Sequence, residues 1–195
     1  MVASTNLSLA PSGPSDAALV VAGRAGEAWA FEAMYVRYAD LVYGLALRLL
    51  GSTADAEDML QEAFVDAFAG LHRLREPGAL RGWLCSVVTR RACKLLRRHR
   101  LLTRLGLRRN EPVDLDQLVS RQCPPDTYSE LSALYGILGK MPAEVRVVLV
   151  LRRVDGYGLE EIASLTRLSL ATVKRRLAAG ETMLSAITSP KGGEP

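Results

Sequence analysis

Apolar residues recur every three or four positions in two stretches of the chain, 26–101 and 127–188. This spacing places them on one face of an α-helix. The first stripe runs from Trp29 to Leu49 and is stopped by Gly51. Alternation of Val, Ile and Thr, which is typical of strands, is almost absent. The pattern predicts an all-α protein.

The first stretch contains two further helices. Thr53 is the predicted N-cap of one of them, because acidic residues that suit a helix N-terminus follow it directly. The segment 70–82 is interrupted by Pro77-Gly78 and predicts a loop, after which an apolar pattern containing Trp83 resumes. We interpret Trp83 as a core residue rather than a stacking platform.

Three segments lack the helical period. Residues 1–25 are rich in Ser, Pro and Gly without the basic start of a signal peptide, and predict a disordered tail. Residues 102–126 contain charges and prolines and predict a flexible linker, and residues 189–195 predict a second disordered tail. The chain is therefore predicted to form two small helical domains, 26–101 and 127–188, joined by a linker.

The second domain ends in the layout of a helix-turn-helix. Apolar residues at 159, 162 and 163 and at 170, 173 and 177 define two short helices, and only 166–168 remains for the turn. Ser169 is the predicted N-cap of the second helix. Arg167 stands where glycine usually supplies a positive φ, at a cost on the order of 1 kcal/mol. This layout makes DNA the first partner to consider.

The outer face of the second helix carries groups that can contact phosphates and guanine edges in a major groove. They are Ser169, Thr172, Lys174, Arg175 and Arg176. Amphipathic helix pairs with a basic outer face also occur in all-helical proteins that never bind nucleic acid, so this pattern alone leaves that alternative open.

Charge is distributed unevenly along the chain. The formal net charge is only +4, but residues 72–109 contain 12 Lys or Arg against the single Glu76, whereas residues 49–71 contain five carboxylates and no Lys or Arg. Two faces of opposite sign predict two different partners.

Several function classes have no support in the sequence. The three cysteines, Cys85, Cys93 and Cys123, lack the close pairs of zinc or redox motifs and suit a reducing cytoplasm. No apolar run approaches the roughly 20 residues of a spanning helix. Without a glycine-rich phosphate loop or a catalytic triad spacing, we expect no enzyme, no cofactor and no metal site.

Three segments of the chain, taken in order, carry motifs that point to one protein family. The first is RLLG at 48–51 followed by DAEDMLQEAF at 55–64, and the second is LRGWL at 80–84 leading into a basic helix. The third is LGKMP at 138–142 and RVVL at 146–149, followed by the helix-turn-helix ending in ATVKRRL at 171–177. Taken together, these segments resemble bacterial RNA polymerase sigma factors of the extracytoplasmic-function (ECF) group. The resemblance covers roughly 27–187 without the linker.

The resemblance implies a transcription initiation factor without catalysis of its own. It implies that the chain binds core RNA polymerase through Asp55, Asp58, Gln61 and Glu62. It implies that the first domain reads the minus-ten element as melted single strand, with cations at Arg73, Arg75, Arg81, Arg90, Arg91, Lys94, Arg97 and Arg98. It also implies that 169–177 read the minus-thirty-five element as duplex, and that an anti-sigma factor controls the protein.

Two rival interpretations remain at this point. A stand-alone helix-turn-helix regulator would use the same DNA-binding helix, but it would not need the carboxylates of 55–62. A cytoplasmic protein whose basic helix docks on acidic lipid or RNA is the second rival. The sequence names neither the promoter nor the activating signal, and it gives no role for the N-terminal tail or the cysteines.

Overall fold

The computed structural model describes residues 13–107 and 125–188, with only the backbone given for 125–132 and 186–188. This part of the chain holds α-helices, short 3₁₀ turns at Leu71–Arg73 and Pro77–Ala79, and no strand. The helices are α1 Asp16–Arg24, α2 Ala28–Leu50, α3 Thr53–Gly70, α4 Leu80–Arg104, α5 Pro125–Lys140, α6 Ala143–Arg153, α7 Leu159–Thr166 and α8 Leu170–Thr188. The all-α prediction is confirmed.

Helices α2, α3 and α4 form the core of the first domain. Leu45 and Leu49 of α2 pack with Phe64 of α3 and Val88 of α4, and all four are buried. Trp83 is half-buried and packs against this core, as predicted. The apolar stripe of each helix thus produces one shared core.

The turn between α2 and α3 shows why the apolar stripe of α2 ends before Gly51. Gly51 adopts φ 66°, a left-handed conformation that suits glycine, and its N–H donates to Leu47 O at 2.7 Å. The N-cap of α3 is Ser52, whose Oγ accepts from Asp55 N at 3.2 Å. The prediction of Thr53 as the cap is wrong by one residue, since Thr53 is already helical.

The predicted disordered tail is wrong over α1. Leu19 and Val20 are fully buried against the first domain, and Asp16 accepts hydrogen bonds from Arg37 Nη1 at 2.8 Å and from the Tyr38 hydroxyl at 2.5 Å. A nine-residue helix is marginal by itself, so tertiary contacts stabilise it. Residues 1–12 lie outside the described part of the chain.

Helices α6, α7 and α8 form the core of the second domain. Val148 and Leu151 of α6, Ile162 of α7 and Val173 of α8 are fully buried. Position 173, one of the apolar positions that predict the second helix of the helix-turn-helix, thus lies in the core. The tight crossing of α6 and α8 also explains a glycine in the middle of α8, because a Cβ on Gly180 would lie 3.1 Å from Val145 Cγ1 and 3.4 Å from Leu149 Cδ1.

Replacing Gly180 with leucine is expected to destabilise the second domain by about 1–3 kcal/mol, because the side chain overpacks the α6–α8 contact. Gly180→Ala serves as the matched control. It gains up to about 1 kcal/mol of helix propensity, and its added Cβ contacts only the side chains of Val145 and Leu149. Chemical denaturation measures both, and equal stability of the two variants would contradict the close packing at Gly180.

The two domains pack against each other. Helix α4 of the first domain contacts both α6 and α7, and α2 also contacts α6. We call this the closed arrangement. The ends of the predicted linker are helical, since α4 continues to Arg104 and α5 begins at Pro125. Residues 108–124 lie outside the described part of the chain, as does the predicted C-terminal tail 189–195.

Among the described helices, none is both long and apolar enough to cross a membrane.

Candidate nucleic-acid interface

The helix-turn-helix has the local geometry that the sequence predicts. Helix α7 ends at Thr166, and Arg167 follows it with φ 56° and ψ 36°, the left-handed conformation usually taken by glycine. Leu168 N then donates to Ala163 O at 3.1 Å. Ser169 caps α8, with its Oγ accepting from Thr172 N at 3.2 Å. Both the strained turn position and the N-cap are confirmed.

The cations of α8 point in two directions. Lys174 and Arg175 are exposed to solvent, and no carboxylate of the described residues lies within ion-pair distance of them. Arg176 is half-buried and faces α4 of the first domain. Ser169 Oγ and Thr172 Oγ1 lie 2.9 Å apart at the start of the helix. In the closed arrangement, therefore, only part of the predicted DNA-binding set is presented to solvent.

The predicted polymerase-binding residues lie along α3 and form what we call the acidic face: Asp55, Asp58, Gln61 and Glu62. Asp58, Gln61 and Glu62 are exposed. Asp55 is half-buried, with Oδ2 at 3.8 Å from His99 Nδ1. The sequence interpretation did not single out Val65, an apolar residue that is 67% exposed one helical turn after Gln61. An apolar residue outside the core stripe of α3 was the signal that could have identified it.

Arg91 of α4 contacts carboxylates of α3. Its Nε contacts Asp66 Oδ2 at 2.5 Å, and its Nη1 forms an ion pair with Glu62. The hydrogen bond from Arg91 holds the pKa of Asp66 below its usual value. Of the eight cations predicted for the minus-ten element, this one is bound to carboxylates of α3.

The loop before α4 presents Arg73 and Arg75 to solvent, and the first turn of α4 presents Arg81. Helix α1 braces this loop, because Arg24 Nε donates to Leu71 O at 3.3 Å and Arg24 Nη2 donates to Leu74 O. Arg98 is also exposed, on α4.

The remaining cations meet between the domains. Arg90, Lys94 and Arg97 of α4 and Arg176 of α8 line one cavity of about 210 Å³, which we call the basic cavity. Its one carboxylate is Glu144, which forms an ion pair with Arg97. Burial raises the pKa of Glu144, but hydrogen bonds from a backbone N–H and from Arg97, with the charge of Arg176, hold it below its usual value.

Polar contacts from other residues hold the closed arrangement together. Arg48 Nε and Nη2 both contact Asp155 Oδ1 at 2.6 Å. Ser86 Oγ donates to Leu165 O at 3.1 Å, and the Tyr157 hydroxyl donates to Cys85 Sγ at 3.6 Å. The sequence interpretation missed these residues, because their pairing depends on how the domains dock and not on any local pattern.

A buried arginine adds to this junction. Arg146 is 6% exposed and lies with its guanidinium carbon 6.0 Å from the ring centroid of Tyr135. Burial lowers the pKa of Arg146 to about 10. The space beside Gly51 is filled by these two side chains, since a Cβ there would lie 2.8 Å from Tyr135 Cδ1 and 3.2 Å from Arg146 Nη2.

The cysteines do not form a common site in the described residues. Cys85 is buried and Cys93 is half-buried at the basic cavity, and burial raises the pKa of both thiols. Cys123 lies outside the described residues. Within 13–107 and 125–188, no group of three or more His, Cys, Asp or Glu side chains is arranged to hold a metal ion.

Comparison with known proteins gives matches in both domains. The family model of sigma-70 region 2 matches residues 34–101, and that of sigma-70 region 4 matches residues 131–184. These two segments contain the acidic face, all but the last three residues of α4, and the helix-turn-helix.

Relatives cover most of the chain. The ECF RNA polymerase sigma factor SigE of Mycolicibacterium smegmatis is 33% identical over 152 residues, which are 76% of this chain and 57% of that protein. This chain therefore spans little more than half the length of that relative. The ECF sigma factor SigM of Mycobacterium tuberculosis is 28% identical over 171 residues, covering 88% of this chain and 83% of that protein.

A solved structure shares the fold. The sigma factor RpoE of Bartonella quintana, crystallised with the anti-sigma factor NepR, has a TM-score of 0.63 and 18% identity. The alignment covers 83% of this chain and 98% of that one. Both region models match in order along the chain, and both relatives are ECF sigma factors that align with most of it. The chain therefore belongs to the ECF group of RNA polymerase sigma factors.

Proposed function

We propose that this chain is a non-catalytic initiation factor that binds core RNA polymerase in the cytoplasm and directs it to promoters. The observation that carries the proposal is one chain with two separate charged surfaces: the exposed acidic face on α3, and a capped recognition helix with exposed Lys174 and Arg175. A stand-alone regulator would need only the second.

The acidic face is suited to a basic surface of the polymerase. Asp58 and Glu62 lie one helical turn apart and are exposed, so they can meet one partner together. Complementary charge gives orientation and fast association. Val65 extends the same face with an apolar contact, which would be shielded from water on binding.

The two DNA elements are assigned to different domains. Arg73, Arg75 and Arg81 before and at the start of α4, with Arg90, Lys94, Arg97 and Arg98 along it, would follow the melted minus-ten strand. Helix α8 would enter the major groove at the minus-thirty-five element, with Ser169 and Thr172 near its start. Arg91 is the weakest member of the set, because it is bound to Glu62 and Asp66.

In the closed arrangement, the chain cannot contact both promoter elements at once. Elements at minus ten and minus thirty-five are about 25 base pairs apart, or roughly 85 Å along the duplex. Arg90 and Arg176, assigned to different elements, instead line the same cavity. We therefore propose that the domains separate when the factor binds polymerase and promoter, and that an anti-sigma factor opposes this step.

The polymerase assignment is tested with the double variant Asp58→Ala/Glu62→Ala. We expect its affinity for core polymerase to fall roughly tenfold or more, because charge pairs across an interface contribute on the order of 1 kcal/mol each or more. Glu57→Ala is the control, since Glu57 is exposed on the same helix but is not assigned to the interface. Affinity measured by co-elution or interferometry that is unchanged in the double variant would refute the assignment.

A further inference from the structure

The basic cavity has more positive charge than its own residues balance. Arg90, Lys94, Arg97 and Arg176 line it, and Glu144 is its one carboxylate. Glu144 forms its ion pair with Arg97. Among the described residues, no carboxylate lies within ion-pair distance of the other three cations.

Arg90 is the cation with the greatest need of a counter-charge. It is half-buried, and its guanidinium donates to Ser86 Oγ rather than to a carboxylate. Burial lowers the pKa of Arg90, and the positive charge of Arg167 across the domain interface lowers it further. An anion placed between the domains would relieve both effects.

A buried hydroxyl at the cavity also lacks a partner. Thr89 is 1% exposed and belongs to the cavity wall, and its Oγ1 makes no hydrogen bond. Buried polar groups without a partner are rare in folded proteins. A hydroxyl and guanidinium groups together provide several hydrogen-bond donors. Such donors suit a phosphate group, which has several acceptor oxygens.

We propose that the basic cavity binds a phosphate-class anion, either free diphosphate or the diphosphate group of a nucleotide. The cavity of about 210 Å³ has room for many waters, since about 10–15 Å³ of such space holds one, and a diphosphate group takes the place of several of them. The bound anion accepts hydrogen bonds from Arg90 on α4 and from Arg176 on α8, and it accepts one from Thr89 when that side chain rotates to turn its buried Oγ1 toward the cavity. It therefore joins the two domains and stabilises the closed arrangement.

The site shares Arg90, Lys94, Arg97 and Arg176 with the proposed promoter contacts, so anion and DNA compete for the same cations. A ligand that binds one arrangement better shifts the population toward it. The anion is thus a negative regulator of promoter binding by this chain. Its binding is measured on the free protein and does not depend on polymerase, so failure of this proposal and failure of the proposed function are distinguishable.

The test is calorimetric titration of the full chain with sodium pyrophosphate, and separately with a nucleoside diphosphate, against sodium chloride of equal ionic strength. We expect saturable binding of one or both diphosphates and a rise in Tm that chloride does not reproduce. The diphosphate that binds more tightly shows whether the site takes free diphosphate or the diphosphate group of a nucleotide. Small-angle scattering should show no expansion of the protein when the diphosphate is bound.

Three variants separate a defined site from diffuse attraction. Thr89→Val and Arg176→Gln are each expected to weaken diphosphate binding about tenfold. Arg175→Gln removes the same charge from the exposed face of α8 and should leave binding unchanged. Without diphosphate, Thr89→Val should be as stable as the parent, because the lost hydroxyl has no partner. No binding beyond the chloride control, or equal weakening by Arg175→Gln, would overturn the proposal.

Discussion

Alanine at both Lys174 and Arg175 is expected to lower transcription from a cognate promoter roughly a hundredfold, while the affinity for core polymerase stays within about twofold. Each cation that reaches a phosphate or a guanine edge contributes about 1–3 kcal/mol, and these two are exposed on the recognition helix. Transcription assays with purified polymerase measure the first quantity, and binding of labelled factor to polymerase measures the second.

The matched control removes two cations elsewhere in the same domain. Lys140 and Arg152 are exposed on α5 and α6, outside the recognition helix itself, and Lys140→Ala/Arg152→Ala changes the net charge by the same amount. Transcription should remain near the parent level in this control. If the control and the recognition-helix variant lose transcription equally, the effect is one of net charge and not of promoter recognition.

Glu144→Lys is expected to open the closed arrangement. The change removes the one carboxylate of the basic cavity and adds a fifth cation beside Arg90, Lys94, Arg97 and Arg176. We expect the ratio of closed to open molecules to fall tenfold or more, which corresponds to about 1.4 kcal/mol. Small-angle scattering should show an increase of several Å over the roughly 16 Å radius of gyration of a compact chain of this length.

Glu32→Lys provides the control for this charge reversal, because Glu32 is exposed on α2 outside the domain interface. It should leave the radius of gyration unchanged. Opening also frees cations for nucleic acid, so Glu144→Lys should bind promoter DNA more tightly than the control. A compact Glu144→Lys variant would show that Glu144 is not needed for domain closure.

Local chemistry explains which features of the fold could be predicted from the sequence. The positive φ of Arg167, the cap at Ser169 and the buried Val173 depend on residues within one or two helical turns. Helix α1 was missed because its stability comes from distant partners, Arg37 and Tyr38, and not from its own composition.

The candidate interface also combines features that nearby residues determine with features that depend on contacts between distant residues. Exposure of Asp58, Gln61 and Glu62 follows from the apolar period of α3, since positions outside the apolar stripe face solvent. The pairing of Arg91 with Glu62 and Asp66 joins residues 25 or more positions apart. The shared cavity of Arg90 and Arg176 depends on domain docking. No periodicity encodes either contact, so the sequence grouped these cations with those that face solvent.

Run-off transcription on fragments of the source genome, with core RNA polymerase and this chain mixed or separate, tests the central claim most directly. We predict defined start sites only when both are present, and loss of these starts with Asp58→Ala/Glu62→Ala but not with Glu57→Ala. The same starts in the absence of the chain, or no starts and no association with polymerase in its presence, would contradict its role as an initiation factor.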